Sequence, residues 1–167
     1  KAIDEEVIFD RTVNRVMLRA GSARSEYDLG VGAQDMASMW LEIIWRSQMG
    51  EAFDFPLATG KRYTPRWFVP DADTSSLETP LGRLLVMHVR ARSQPGDNKF
   101  EVWLAPNLHW LPVRIRYTDR KGDVYDLHAR LVEYENQSLR ASATASAAAA
   151  SRAAGAPAPE PINPFLR

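Results

Sequence analysis

Cysteine is absent from this 167-residue chain. Its absence excludes disulfides, thiolate metal sites and a thiol nucleophile, and says nothing of compartment, because exported bacterial proteins also do without it. An excess of charge is missing too, with 21 Lys and Arg against 21 Asp and Glu. Without a net field to gather a polyanion, nucleic acid is not expected as a partner. Apolar runs are short: Leu84–Met87 and the helical stretch Met36–Met49 fall below the roughly 20 residues a membrane-crossing helix needs. No transmembrane segment is expected in this chain.

The sequence also lacks GxSxG, GxGxxG, a phosphate-binding glycine-rich loop and HExxH. His88, His109 and His128 sit on three separate segments, with no spacing that would place two of them on one helix face. No metal, cofactor or catalytic residue is expected, and the chain is read as not an enzyme. A hydrolase using Asp126 and His128 is the last-ranked reading, since the strand pairing described next gives Asp126 to Arg116.

What is present begins with a hairpin. Val7–Phe9 and Val16–Leu18 flank Asp10–Arg15, where Asn14 suits a left-handed turn position. Met36, Met39, Trp40, Ile43 and Ile44 then recur at the i, i+3, i+4, i+7 spacing, with Asp35 and Glu42 off the stripe. The spacing predicts one amphipathic helix over about residues 33–48, lying on a sheet and stopped by Gly50. Pro56, Gly60, Pro65 and Pro70 punctuate the next stretch, which reads as short edge strands and loops.

The remainder reads as a meander. Thr79-Pro80-Leu81-Gly82 and Asp119-Arg120-Lys121-Gly122 both fit tight turns with a left-handed glycine. Closing the second turn sets Asp119 opposite Asp123, Tyr117 opposite Tyr125, Ile115 opposite Leu127 and Val113 opposite Ala129, an apolar face expected to be core. The other face then pairs Arg116 with Asp126 and Arg114 with His128, and a slip of one residue would swap the faces. Strands 83–91 and 99–104, joined by 93–98, complete the sheet, the former central. The fold class is α+β and mostly β: a curved antiparallel meander of about five to seven strands carrying one helix.

The last part of the chain is different in kind. Residues 141–158 are mostly alanine with no large apolar side chain to dock, and three prolines follow in 159–164. Residues 1–135 are therefore read as the sheet-plus-helix domain and 136–167 as a disordered tail. Ile162-Asn163-Pro164-Phe165-Leu166 has the character of a short docking motif, although an unstructured end is the plainer reading.

Gly32-Ala33-Gln34-Asp35, Leu77-Glu78-Thr79-Pro80-Leu81-Gly82, Val102-Trp103-Leu104-Ala105-Pro106-Asn107, Leu111-Pro112-Val113-Arg114-Ile115 and Gly122-Asp123-Val124-Tyr125-Asp126 follow in that order. Together they resemble the C-terminal half of the domain of unknown function 3108, found in exported proteins of Gram-negative bacteria. The resemblance spans about residues 5–134 and implies a precursor with a signal peptide, a periplasmic or envelope location and further strands ahead of Lys1. It implies no activity. At the level of a curved sheet plus helix the family is similar to periplasmic carriers of lipoproteins and other lipids, an analogy of fold.

Five Trp and five Met are the remaining signal, because such side chains either pack a core or line an adaptable apolar cavity. Met36, Met39, Trp40, Ile43 and Trp103 form the candidate binding set for an apolar or lipid-like ligand between helix and sheet. The alternative is a structural or protein-interaction module with a flexible C-terminal tail.

Overall fold

A computed structural model describes residues 4–94, 97–134 and 137–140. The reading of residues 141–167, and of Pro95 and Gly96 in the 93–98 connection, lies outside the described residues. The described residues are mostly β, with thirteen strands and one α-helix. It divides into two compact units, the first ending at Val69 and the second beginning at Pro70.

The first unit opens with β1 (Glu5–Asp10), β2 (Arg15–Ala20) and β3 (Ala23–Asp28), an antiparallel sheet in that order. Asn14 takes φ 56° in the β1–β2 turn, where Asp10 Oδ1 accepts the Thr12 and Val13 N–H groups. Period-two alternation sends Val7, Phe9, Val16 and Leu18 to one face, where they pack with Ala58, Leu29 and Tyr63. Strand β3 has no such alternation and every one of its residues is exposed, so hydropathy left it unread.

Next come β4 (Gln34–Asp35), α1 (Met39–Ser47), β5 (Phe53–Ala58) and β6 (Tyr63–Pro70). The helix is shorter than the stretch 33–48 read from periodicity, because Gln34 and Asp35 pair in parallel with Leu57 and Ala58. Asp35 and Ser38 then exchange hydrogen bonds: Asp35 Oδ1 accepts the Ala37 and Ser38 N–H groups, and Ser38 Oγ accepts the Asp35 N–H. This reciprocal arrangement closes the turn that leads into the helix, whose N-cap is Ser38. Gly50 lies beyond the helix with φ 70°, as its sequence position suggested. Met39 and Ile43 are buried at 2% and 0% exposure, each worth about 1.5–3 kcal/mol of apolar transfer.

The proline-rich stretch forms a full hairpin, β5 with β6, rather than short edge strands. Pro56 stands directly opposite Pro65. Two prolines can face each other in an antiparallel ladder at a position where neither strand needs an N–H, which is why the pairing survives them. Phe53, Phe55 and Phe68 share one face of it, with ring centroids 5.2–6.4 Å apart.

The second unit contains the meander: β7 (Ser75–Thr79), β8 (Gly82–Ala91), β9 (Lys99–Ala105), β10 (Leu111–Thr118) and β11 (Val124–His128), each antiparallel to the next. Gly82 and Gly122 take φ 106° and 91° in the two turns. Pro106 ends β9 and opens a short 3₁₀ turn. A hairpin of β12 (Leu131–Tyr134) and β13 (Gln137–Arg140) follows, so paired structure reaches Arg140, into the stretch read as tail.

The β10–β11 register is the one derived from the turn, with Arg114 opposite His128, Ile115 opposite Leu127, Arg116 opposite Asp126 and Tyr117 opposite Tyr125. The faces are used differently from expectation. Tyr117 is buried, but Leu127 is 54% exposed, β11 being the edge strand of this sheet among the described residues. The β9–β10 register shifts between Pro112 and Arg114, and this bulge sets Val113 beside Arg114 on the Trp103 side. Val113 therefore joins Leu81, Val86, Trp103 and Ala105 in the core of the second unit.

Candidate functional site

Two places concentrate chemistry, one in each unit. In the second, the registers of β8–β11 line up His88, Trp103, Arg114 and His128 as one cross-strand row. Arg90, Glu101, Arg116 and Asp126 form the next row on the same face. The Trp103 ring lies between its neighbours: the His88 imidazole stacks on it at 4.4 Å and 4°, and the Arg114 guanidinium sits 4.5 Å from its centroid. Trp103 thus joins the hydrophobic cluster to a polar rim.

That rim carries two hydrogen-bonded groups. Asp71 is fixed by its N–H donating to the His88 carbonyl; its carboxylate meets His88 Nδ1 at 3.3 Å and Arg90 at 2.5 Å. Glu101 meets His88 Nε2 at 3.0 Å. The two carboxylates therefore approach opposite edges of one imidazole and do not converge on a single ion. Across the sheet, Arg114 donates two hydrogen bonds to Asp126 at 2.8 and 2.6 Å, and Arg116 two more at 3.1 and 2.6 Å. His128 Nε2 stands 3.2 Å from the same carboxylate.

Burial is the largest single influence on Asp126 and pushes its carboxyl up, but the hydrogen bonds and charges of Arg114 and Arg116 outweigh it and hold the group at about 2. Asp126 in turn raises Arg114. The His128 imidazole is lowered, first by burial; Asp126 opposes this, and Arg114, Arg116 and Arg130 add to it. Chemically the arrangement is a clasp: Asp126 is occupied by two guanidinium groups, and both His88 nitrogens are engaged.

In the first unit, β1–β3 form a groove of about 450 Å³ on the side of Ile8 and Met17, reached also by Leu18 and Ser25. Its lining includes Glu6, Ile8, Met17, Arg19, Arg24 and Glu26. The register explains the set, since Glu6, Arg19 and Arg24 make one cross-strand row and Ile8, Met17 and Glu26 the next. Ile8 and Met17 are 42% and 36% exposed. Arg19 pairs with Glu6 at 3.3 Å and Asp4 at 3.7 Å, and Glu26 with Arg15 at 3.5 Å. Arg24, directly opposite Arg19, has no ion pair among the described residues.

The five residues read as an apolar binding set divide between the units. Met36, Met39, Trp40 and Ile43 belong to the first, with Met39 and Ile43 in its core and Met36 and Trp40 half-buried. Trp103 belongs to the second, held between His88 and Arg114. The large apolar side chains left exposed here are Leu41 and Trp45 on the helix and Met49 just beyond its end. Sequence reasoning missed Asp71, His88 and Glu101 because the β8–β9 register was not fixed by its turn. It missed the groove because β3 has no apolar signal, although the Glu6–Arg19 and Ile8–Met17 pairs were implicit in the β1–β2 hairpin.

No helix of the described residues is long and apolar enough to cross a membrane. No curated protein and no solved structure matches the chain. A family model described as "Protein of unknown function (DUF3108)" matches residues 1–129, the span that carries β1–β11 and both places just described. The chain belongs to that family.

Proposed function

We propose that this chain is a non-enzymatic module of the bacterial cell envelope that holds an apolar or lipid-like ligand. The observation that carries the reading is the groove on β1–β3, where Ile8 and Met17 lie open to solvent on a sheet whose opposite face is already satisfied by Val16 and Leu18. The β1–β2 register requires apolar residues on one face only, so the outer pair answers to something other than folding. A volume of about 450 Å³ falls in the roughly 300–1,000 Å³ range of small-molecule sites. The non-enzymatic part is supported by the clasp, which leaves Asp126 and His88 occupied by partners. The envelope location is supported by the resemblance to exported proteins.

The test is a titration of the full chain with a neutral apolar fluorophore such as phenylnaphthylamine, alongside native mass spectrometry of the protein as purified. Saturable enhancement with a micromolar midpoint, weakened by Met17→Gln, is expected. A ligand-free protein that binds no apolar probe would overturn the reading.

A further inference from the structure

Resting on that reading, we propose that the β1–β3 groove takes a single-chain anionic amphiphile, a long-chain carboxylate, with its head group on Arg24 and its chain across Met17 and Ile8. The argument is one of charge and shape. On this face Glu6, Arg19, Glu26, Arg15 and Asp28 are all engaged in ion pairs, and Arg24 is the cation left over among the described residues. It stands opposite Arg19, whose charge Glu6 and Asp4 already meet, so Arg24 is the guanidinium of this face left to take an anion. A carboxylate matches a guanidinium fork in two parallel hydrogen bonds.

The apolar partners of that head group are in the neighbouring row. Met17 on β2 and Ile8 on β1 face each other, so a chain leaving Arg24 on β3 meets them in turn across two strand spacings, about 10 Å. A methylene fills roughly the 30 Å³ share of a water molecule, so the groove of about 450 Å³ has room for one long acyl chain. A single-chain carboxylate satisfies the charge, the apolar path and the volume together.

The experiment compares a dansyl-labelled undecanoic acid with its methyl ester on the full chain, for wild type, Arg24→Gln, Arg24→Lys and Met17→Gln. These positions are exposed, so the variants should fold, and circular dichroism checks that they do. Wild type should bind the acid roughly three- to tenfold more tightly than the ester, the preference expected of one partly exposed ion pair. Arg24→Gln should bring the acid to the ester's affinity, Arg24→Lys should keep part of the preference, and Met17→Gln should weaken both ligands. Equal binding of acid and ester by wild type, or a preference untouched by Arg24→Gln, overturns this inference while leaving apolar ligand binding intact. Binding of neither ligand overturns both.

Discussion

Asp126 accepts four hydrogen bonds from two arginines on the neighbouring strand, and their charges make it a stabilising carboxylate at neutral pH. Its folded value of about 2 lies below the ordinary 3.8. The contribution is therefore complete above about pH 4 and is lost as pH falls through 2. Replacing it, Asp126→Asn, should cost about 1–2 kcal/mol at pH 7, a range that allows for its partial exposure. The urea midpoint of the variant should also vary less with pH between 4 and 2 than that of wild type. His128 also loses stability on acidification, but because the fold favours its neutral form. Its folded value is below 6.5, so the unfolded chain takes up the proton first and stability declines as pH falls below about 6.5. His128→Asn should flatten that part of the curve, measured by urea unfolding between pH 7.5 and 5.

At the scale of the element, the helix shows how tertiary pairing edits a local signal. Its apolar spacing begins at Met36 and its acidic start at Asp35, but Gln34 and Asp35 are drawn into a parallel bridge with β5. The Asp35 carboxyl is held below its usual range, first by the Ser38 N–H, with burial opposing and the Ser38 hydroxyl and Ala37 N–H assisting. Asp35→Ala should destabilise the protein by about 1 kcal/mol, through loss of the hydrogen bonds that close the turn before the helix, and Asp35→Asn by less, both read from thermal unfolding at pH 7. The β10–β11 hairpin was legible in full register because its turn residues and both its faces agreed. The β5–β6 hairpin was not, since proline argues against strands in general and is tolerated here by the mutual placement of Pro56 and Pro65. Strand β3 is held by backbone pairing to β2, for which hydropathy has no signature.

For the whole molecule, balanced charge has a colloidal consequence. The sequence isoelectric point is about 7.0, so intermolecular repulsion is weakest near neutrality. Solubility of the full chain should pass through a minimum near pH 7 and rise by pH 9, measured by static light scattering, whereas a family member of high net charge would show no such minimum. The same balance is visible locally, in ion-pair rows where each arginine of the clasp meets a carboxylate.

Sequence alone determined the mostly β character, the helix, the family and the β10–β11 register, because alternation, turn chemistry and cross-strand charge are local properties of the chain. Which face each strand buries, and which side chains from distant segments meet, was decided only by the tertiary structure. His88, Trp103 and Arg114 become neighbours through the registers of three strands, with a one-residue bulge at Val113 setting where the core ends and the polar clasp begins. Arg24 becomes the unpaired charge of the β1–β3 groove by the same means, since only the pairing of β3 reveals which of its neighbours are already engaged.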